Sequence, residues 1–164
     1  MDDVADAAGV GRATLYRYFP NREALLHALV EDAIEEMALR LDEAEIDRVP
    51  VAEGVARTAR ALVAASSKYS FLSQETKHIA AGVEASKVDE CLGTPLRTLL
   101  KRGIDDGTLR SDWSEIEISR LFGGLLQAAV ELTQDGIGVE RAAAMVSTVF
   151  LQGVSKLDAV QRGP

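Results

Sequence analysis

Residues 1 to 26, MDDVADAAGVGRATLYRYFPNREALL, constrain the fold more than any other stretch of the chain. Two short amphipathic segments flank a glycine and are closed by a proline, the pattern of a helix-turn-helix. In the first, Asp2 to Ala8, residues Val4, Ala5 and Ala8 form a narrow apolar stripe with acids on the other face. Gly9 follows the last periodic residue, where a left-handed helix stop favours glycine, and Val10 is expected to re-enter the core. The second segment, Gly11 to Phe19, pairs Leu15 with Phe19 as inward residues four apart. Arg12, Ala13, Thr14, Tyr16, Arg17 and Tyr18 spread over the remaining surface, a set suited to a major groove. Arginine forks reach guanine edges or phosphates, and Thr and Tyr hydroxyls donate to phosphate oxygens. Pro20 ends the helix, and Asn21 caps the next one with Arg22 and Glu23 in its first turn, where helix amides suit a phosphate.

The run AAGVGRATLYRYFPNREALL, with its Leu-Tyr-x-Tyr-Phe core and x-Arg-Glu-x-Leu helix start, closely resembles the DNA-binding motif of the TetR family of bacterial transcriptional repressors. The resemblance implies base contacts from Gly11, Arg12, Ala13 and Arg17, and phosphate contacts from Thr14, Tyr16, Tyr18 and Arg22. It also implies a homodimer on a palindromic double-stranded operator, released by a small-molecule inducer. Each contact has a plainer alternative: Tyr16 and Tyr18 also suit half-buried packing, and Arg12 and Arg17 a solvated surface. The family's first helix, with its basic arm, has no counterpart before the first segment here. Its absence would leave Val4, Ala8, Leu15, Leu25 and Leu26 partly uncovered. A start codon assigned too late, a truncated product and a natural variant with an impaired head would each account for this; the first is the favoured expectation.

Composition bounds the rest. A chain of 164 residues with 47% apolar side chains can bury one sizeable core, and no run of about 18 apolar residues suggests a membrane span. One cysteine, Cys91, and no leader pattern at the start fit a cytoplasmic protein. The balance of 18 basic and 26 acidic residues, net −8, argues against nucleic acid until it is located. Residues 1 to 22 carry Arg12, Arg17 and Arg22 against Asp2, Asp3 and Asp6, so the acidity belongs to the body. Only His27 and His78 are present, and GxSxG, HExxH, CxxC and phosphate-loop patterns are absent. An enzyme, a metal site and a cofactor are therefore not expected. The more serious rival is a ligand-binding or protein-interaction dimer that has lost operator binding.

Beyond the motif the pattern is helical throughout, giving an all-α expectation: a partial DNA-binding domain over 1–26 and a ligand-binding and dimerisation domain over 27–164. The periodicity predicts a long helix over 24–44, a second over 51–67, a short one over 69–82, and one over 87–105 that Pro95 kinks or restarts. After a turn at Asp105-Asp106-Gly107, Asp112 or Ser114 is expected to cap a helix over 115–134, and a last helix covers 139–157. These last two carry more apolar surface than a hairpin needs, which nominates Leu121, Leu125, Ala128, Leu132, Met145, Val149 and Phe150 for the dimer contact. Candidate inducer-pocket residues are Tyr69, Phe71, Leu72, His78, Trp113, Phe122, Leu126 and Gln127, though each also suits plain packing. Few charges fall among them, which points to an apolar or aromatic compound.

Overall fold

The computed structural model describes residues 1–69 and 85–154. Helices α1 (Asp2–Ala8) and α2 (Arg12–Tyr18) form the head, and α3 (Arg22–Glu43) runs from it into the body. The body comprises α4 (Val51–Lys68), α5 (Ala85–Val88), a π-helical turn (Asp89–Gly93), α6 (Thr94–Asp105), α7 (Glu115–Gln134) and α8 (Val139–Val154). The all-α expectation holds. Apart from Tyr69, the expected short helix over 69–82 lies outside the described residues, as does the end of the last helix beyond Val154.

Helix boundaries follow local chemistry. Gly9 stops α1 in the left-handed region at φ 66°, its amide reaching back to the Ala5 and Asp6 carbonyls. Asn21 caps α3 by accepting the Ala24 amide at 2.8 Å. Of the two possible caps for α7, Ser114 serves: its Oγ accepts the Glu117 amide while the Glu117 carboxylate accepts the Ser114 amide at 2.8 Å. Those bonds hold the Glu117 carboxyl below its usual range. Asp112 pairs instead with Arg110. Pro95 has the predicted effect on the 87–105 segment. It lacks an amide and its ring would meet the carbonyl four residues back, and the chain passes it with the wider turn 89–93, in which the Thr94 amide bonds to Asp89.

The core centres on α4. Its buried Val55, Ala59 and Val63 meet Leu96, Leu99 and Leu100 of α6, Ile118 and Phe122 of α7, and Val146 and Phe150 of α8 in one cluster. Two glycines set the crossing of α4 and α6. A Cβ on Gly54 would lie 2.7 Å from Leu99 Cδ1, and one on Gly103 would lie 2.7 Å from Leu109 Cγ and 2.8 Å from Val51 Cγ1. Phe122 and Phe150 pack edge to face, centroids 4.7 Å apart.

A smaller cluster joins α3 to the end of α4: Ala33 and Tyr69 are buried, with Leu26, Leu29, Val30 and Met37 around them. Polar contacts reinforce this junction. The Tyr69 hydroxyl donates to Asp32 at 2.5 Å, Lys68 pairs with Glu36 at 2.7 Å, and Lys87 of α5 with Glu35 at 3.1 Å. Donation to Asp32, with burial, pushes the Tyr69 phenol above its usual pKa.

Two outcomes follow. Gly103→Ala should lower stability by about 1 kcal/mol in urea unfolding, because an overpacking cost of about 2 kcal/mol exceeds the gain in helix propensity of about 1 kcal/mol; an unchanged midpoint would refute the close crossing. Because the folded-state pKa of Tyr69 is raised, its contribution to stability is present below the unfolded value and is lost as pH rises through the folded one. Absorbance titration at 295 nm should show a phenol ionising above the ordinary tyrosine value that disappears in Tyr69→Phe.

Candidate nucleic-acid interface

The head buries little: Ala5 is fully buried and Leu15 is 7% exposed, while Phe19 is half-buried. Val10 does not re-enter the core as expected. It remains 40% exposed, as does Val4, and Ala8 is exposed too. The turn bonds its amide to the Ala5 carbonyl at 3.0 Å and leaves its side chain at the surface. Of the positions expected to be left uncovered, Val4 and Ala8 are exposed and Leu25 and Leu26 half-buried, but Leu15 is buried.

All eight proposed DNA-contacting residues, Gly11, Arg12, Ala13, Thr14, Tyr16, Arg17, Tyr18 and Arg22, are exposed. With Leu15 fixing the inward direction of α2, a rotation of about 100° per residue puts Ala13 and Arg17 on the opposite face. Arg12 and Tyr16 lie along one flank of that face, and Thr14 and Tyr18 along the other. Tyr16 and Tyr18, at 45% and 66% exposure, are not the half-buried packing residues their amphipathic character also allowed. The Arg17 guanidinium lies 5.0 Å from the Tyr18 ring centroid, a stacked arrangement that leaves its fork at the surface. Arg12 pairs with Asp2 at 3.1 Å, but both side chains are more than half exposed, so the pair costs little to exchange for a phosphate or base. This surface offers hydrogen-bond donors and cationic forks on a helix of groove-fitting width; it holds no nucleophile or general base poised for chemistry.

Five of the nominated pocket residues are described, and they fall in different surroundings. Tyr69 belongs to the α3–α4 junction, and Phe122 is wholly buried in the main core against Phe150. Trp113 lies under the Arg110 guanidinium at 4.0 Å beside a shallow depression shared with Glu117, Arg120 and Leu121. Leu126 packs against the core edge, and Gln127 is exposed, donating to Glu131. Phe71, Leu72 and His78 lie outside the described residues. A cavity of about 470 Å³ lies elsewhere, between the end of α3 and the π turn and α6. Sequence reading missed it because its walls come from separated segments rich in acids.

Of the nominated dimer residues, Phe150 is corrected: it is 2% exposed and faces inward, one helical step from Val149 at 56%. Leu121, Ala128, Met145 and Val149 are exposed, and Leu125 and Leu132 half-buried. Gly123 and Gly124 add an open stretch to α7, with nothing within 4 Å of where their Cβ atoms would be. No described helix is long and apolar enough to cross a membrane.

Comparison with known proteins agrees with this geometry. Residues 1–29 match the model for bacterial regulatory proteins of the tetR family. The HTH-type transcriptional repressor LfrR of Mycolicibacterium smegmatis is 26% identical over 157 residues, covering 96% of this chain and 81% of the relative. The HTH-type transcriptional repressor KstR2 of Rhodococcus jostii is 26% identical over 164 residues, covering 93% and 79%. Among solved structures, the TetR-like regulator LfrR from Mycobacterium smegmatis in complex with proflavine superposes with a TM-score of 0.75 at 25% identity, over 94% of this chain and 85% of that one. The motif in the head, the surface of α2 and the fold of the body are together those of a DNA-binding transcriptional regulator similar to the TetR-type repressors.

Proposed function

We propose that the protein is a ligand-responsive repressor that binds a palindromic operator as a homodimer, with residues 1–26 as the reading head and 27–164 as the sensing and dimerising body. The carrying observation is the exposed face of α2. Ala13 and Arg17 are central on it and Arg12, Tyr16, Thr14 and Tyr18 flank it, so a helix lying in the major groove would aim its centre at base edges and its flanks at the two phosphate backbones. Gly11 and Arg22 stand at the ends of this face, before α2 and at the start of α3.

Dimerisation is supported by the exposed stripe of α7 and α8. Leu121 is 51%, Met145 42% and Val149 56% exposed. Glycine inside a helix costs about 1 kcal/mol relative to alanine, a cost offset where another backbone must come close. Gly124, flanked by Leu121 and Ala128 at helical spacing, suits such an approach by a second copy. Two heads related by a two-fold axis would then meet half-sites about 34–36 Å apart or a multiple of it. The complex of the LfrR relative with proflavine supports an aromatic compound as the inducer, and a DNA-binding role fits the cytoplasm.

With protein expressed from its natural gene and DNA from its own upstream region, Arg17→Ala should relax discrimination at one base pair by about 1–3 kcal/mol. Tyr16→Phe should weaken all sequences alike. A binding profile unchanged by Arg17→Ala would remove the base-reading role. Val149→Glu should convert a dimer to a monomer in light scattering at micromolar concentration and weaken operator binding, while leaving the helical circular-dichroism signal intact. A monomeric wild-type protein, or a dimeric variant, would refute the interface.

A further inference from the structure

A pocket of about 470 Å³ opens where α3 reaches the body, between its last turns, the loop that follows it and the π turn leading into α6. Its floor is apolar, with Leu41, Ile46 and Leu99 buried and Pro95 beside them. Its rim is acidic: Asp42 from α3, Glu45 and Asp47 from the loop, and Glu90 from the π turn. One cation, Arg102, also lines it, but that guanidinium is committed. It donates to the carbonyls of Ile46 at 3.0 Å and Val49 at 2.6 Å, and to that of Asp47. Glu45 is neutralised by Arg48 at 2.6 Å, whereas Asp42, Asp47 and Glu90 have no cationic partner among the described residues.

We infer that this pocket takes an organic cation with an apolar or aromatic body. An apolar floor supplies burial in proportion to area, and with Glu45 paired to Arg48 the three remaining carboxylates outnumber the single Arg102 guanidinium, leaving a net negative rim that favours a positive guest over an anion of the same shape. Hydrated inorganic cations gain nothing from the floor, so apolar bulk and positive charge are required together. The π turn contributes two of the lining residues, Glu90 and Cys91, and such widened turns recur at functional sites. The position gives occupancy a consequence. A guest wedged between α3 and α6 would bear on the helix that carries the head, and would shift the head only to the extent that it binds one position of α3 better than another. This assignment rests on the proposal that the body is a sensor, and names the site and charge class of its ligand.

Tetraphenylphosphonium and tetraphenylborate, near-isosteric ions of opposite charge, test it on the free protein. Calorimetry should show binding of the phosphonium and none of the borate at equal concentration. The phosphonium should also slow alkylation of Cys91, the chain's one cysteine, by iodoacetamide several-fold, because the thiol lines the pocket. The double substitution Asp42→Asn with Glu90→Gln removes two exposed charges that hold no cationic partner among the described residues, and should weaken phosphonium binding about tenfold, equivalent to about 1.4 kcal/mol. Equal binding of both ions, phosphonium binding without protection of Cys91, or an affinity indifferent to the double substitution would each overturn the assignment. A protein that binds the phosphonium in this way but not DNA would sustain the pocket and refute the repressor. One that binds its operator but not the phosphonium would do the reverse.

Discussion

The close crossing of α4 and α6 at Gly54 and Gly103 is the constraint on which the body depends. Neither position has room for a methyl group, because the Leu99 side chain seats on Gly54 and those of Val51 and Leu109 seat on Gly103, which brings the three into one packed layer. That packing also places Arg102, one residue before Gly103, where its fork takes the carbonyls of the loop leaving α3. These carbonyls follow a helix end and would otherwise lack partners within the chain. The end of α3 is thus fastened to α6 by backbone hydrogen bonds to a fixed charge rather than by a flexible loop.

From that anchor α3 runs about 33 Å, given 22 residues at 1.5 Å each, to a head with little core of its own. Only Ala5 and Leu15 are buried in α1 and α2, so the head's orientation is set chiefly by the helix it continues into. Halfway along, the junction of Tyr69, Lys68 and Lys87 with Asp32, Glu36 and Glu35 ties α3 to α4 and α5. In the proposed reading, a displacement at either attachment would be carried to the head along α3.

Much of this was legible in the sequence. Helical periodicity located α3, α4, α7 and α8, and local cap chemistry located the starts of α3 at Asn21 and of α7 at Ser114. The exposed side of α2 was legible because Leu15 fixes its inward direction. What failed did so where hydropathy carries no direction. On α8 both faces are apolar, so Phe150 and Val149 are indistinguishable by type, and packing against Phe122 selects which is inside. Of the nominated pocket residues, Phe122 packs in the core against Phe150 and Trp113 stacks under Arg110. The cavity that formed combines residues 38 to 47 with residues 90 to 102, a pairing that depends on the α4–α6 crossing and leaves no local signature. Val10 was misassigned because the turn's backbone bonding, not its side chain, closes the head.

The central claim is that two heads, each carried by its own α3, are held at a separation that fits DNA. Spin labels at Ala7→Cys, on the exposed side of α1, in a Cys91→Ser background would report that separation directly by pulsed dipolar spectroscopy on the protein from its natural gene. Addition of operator DNA should narrow the distances to one population on the order of a helical turn, about 35 Å. Absence of dipolar coupling, or a distribution indifferent to DNA, would contradict the claim.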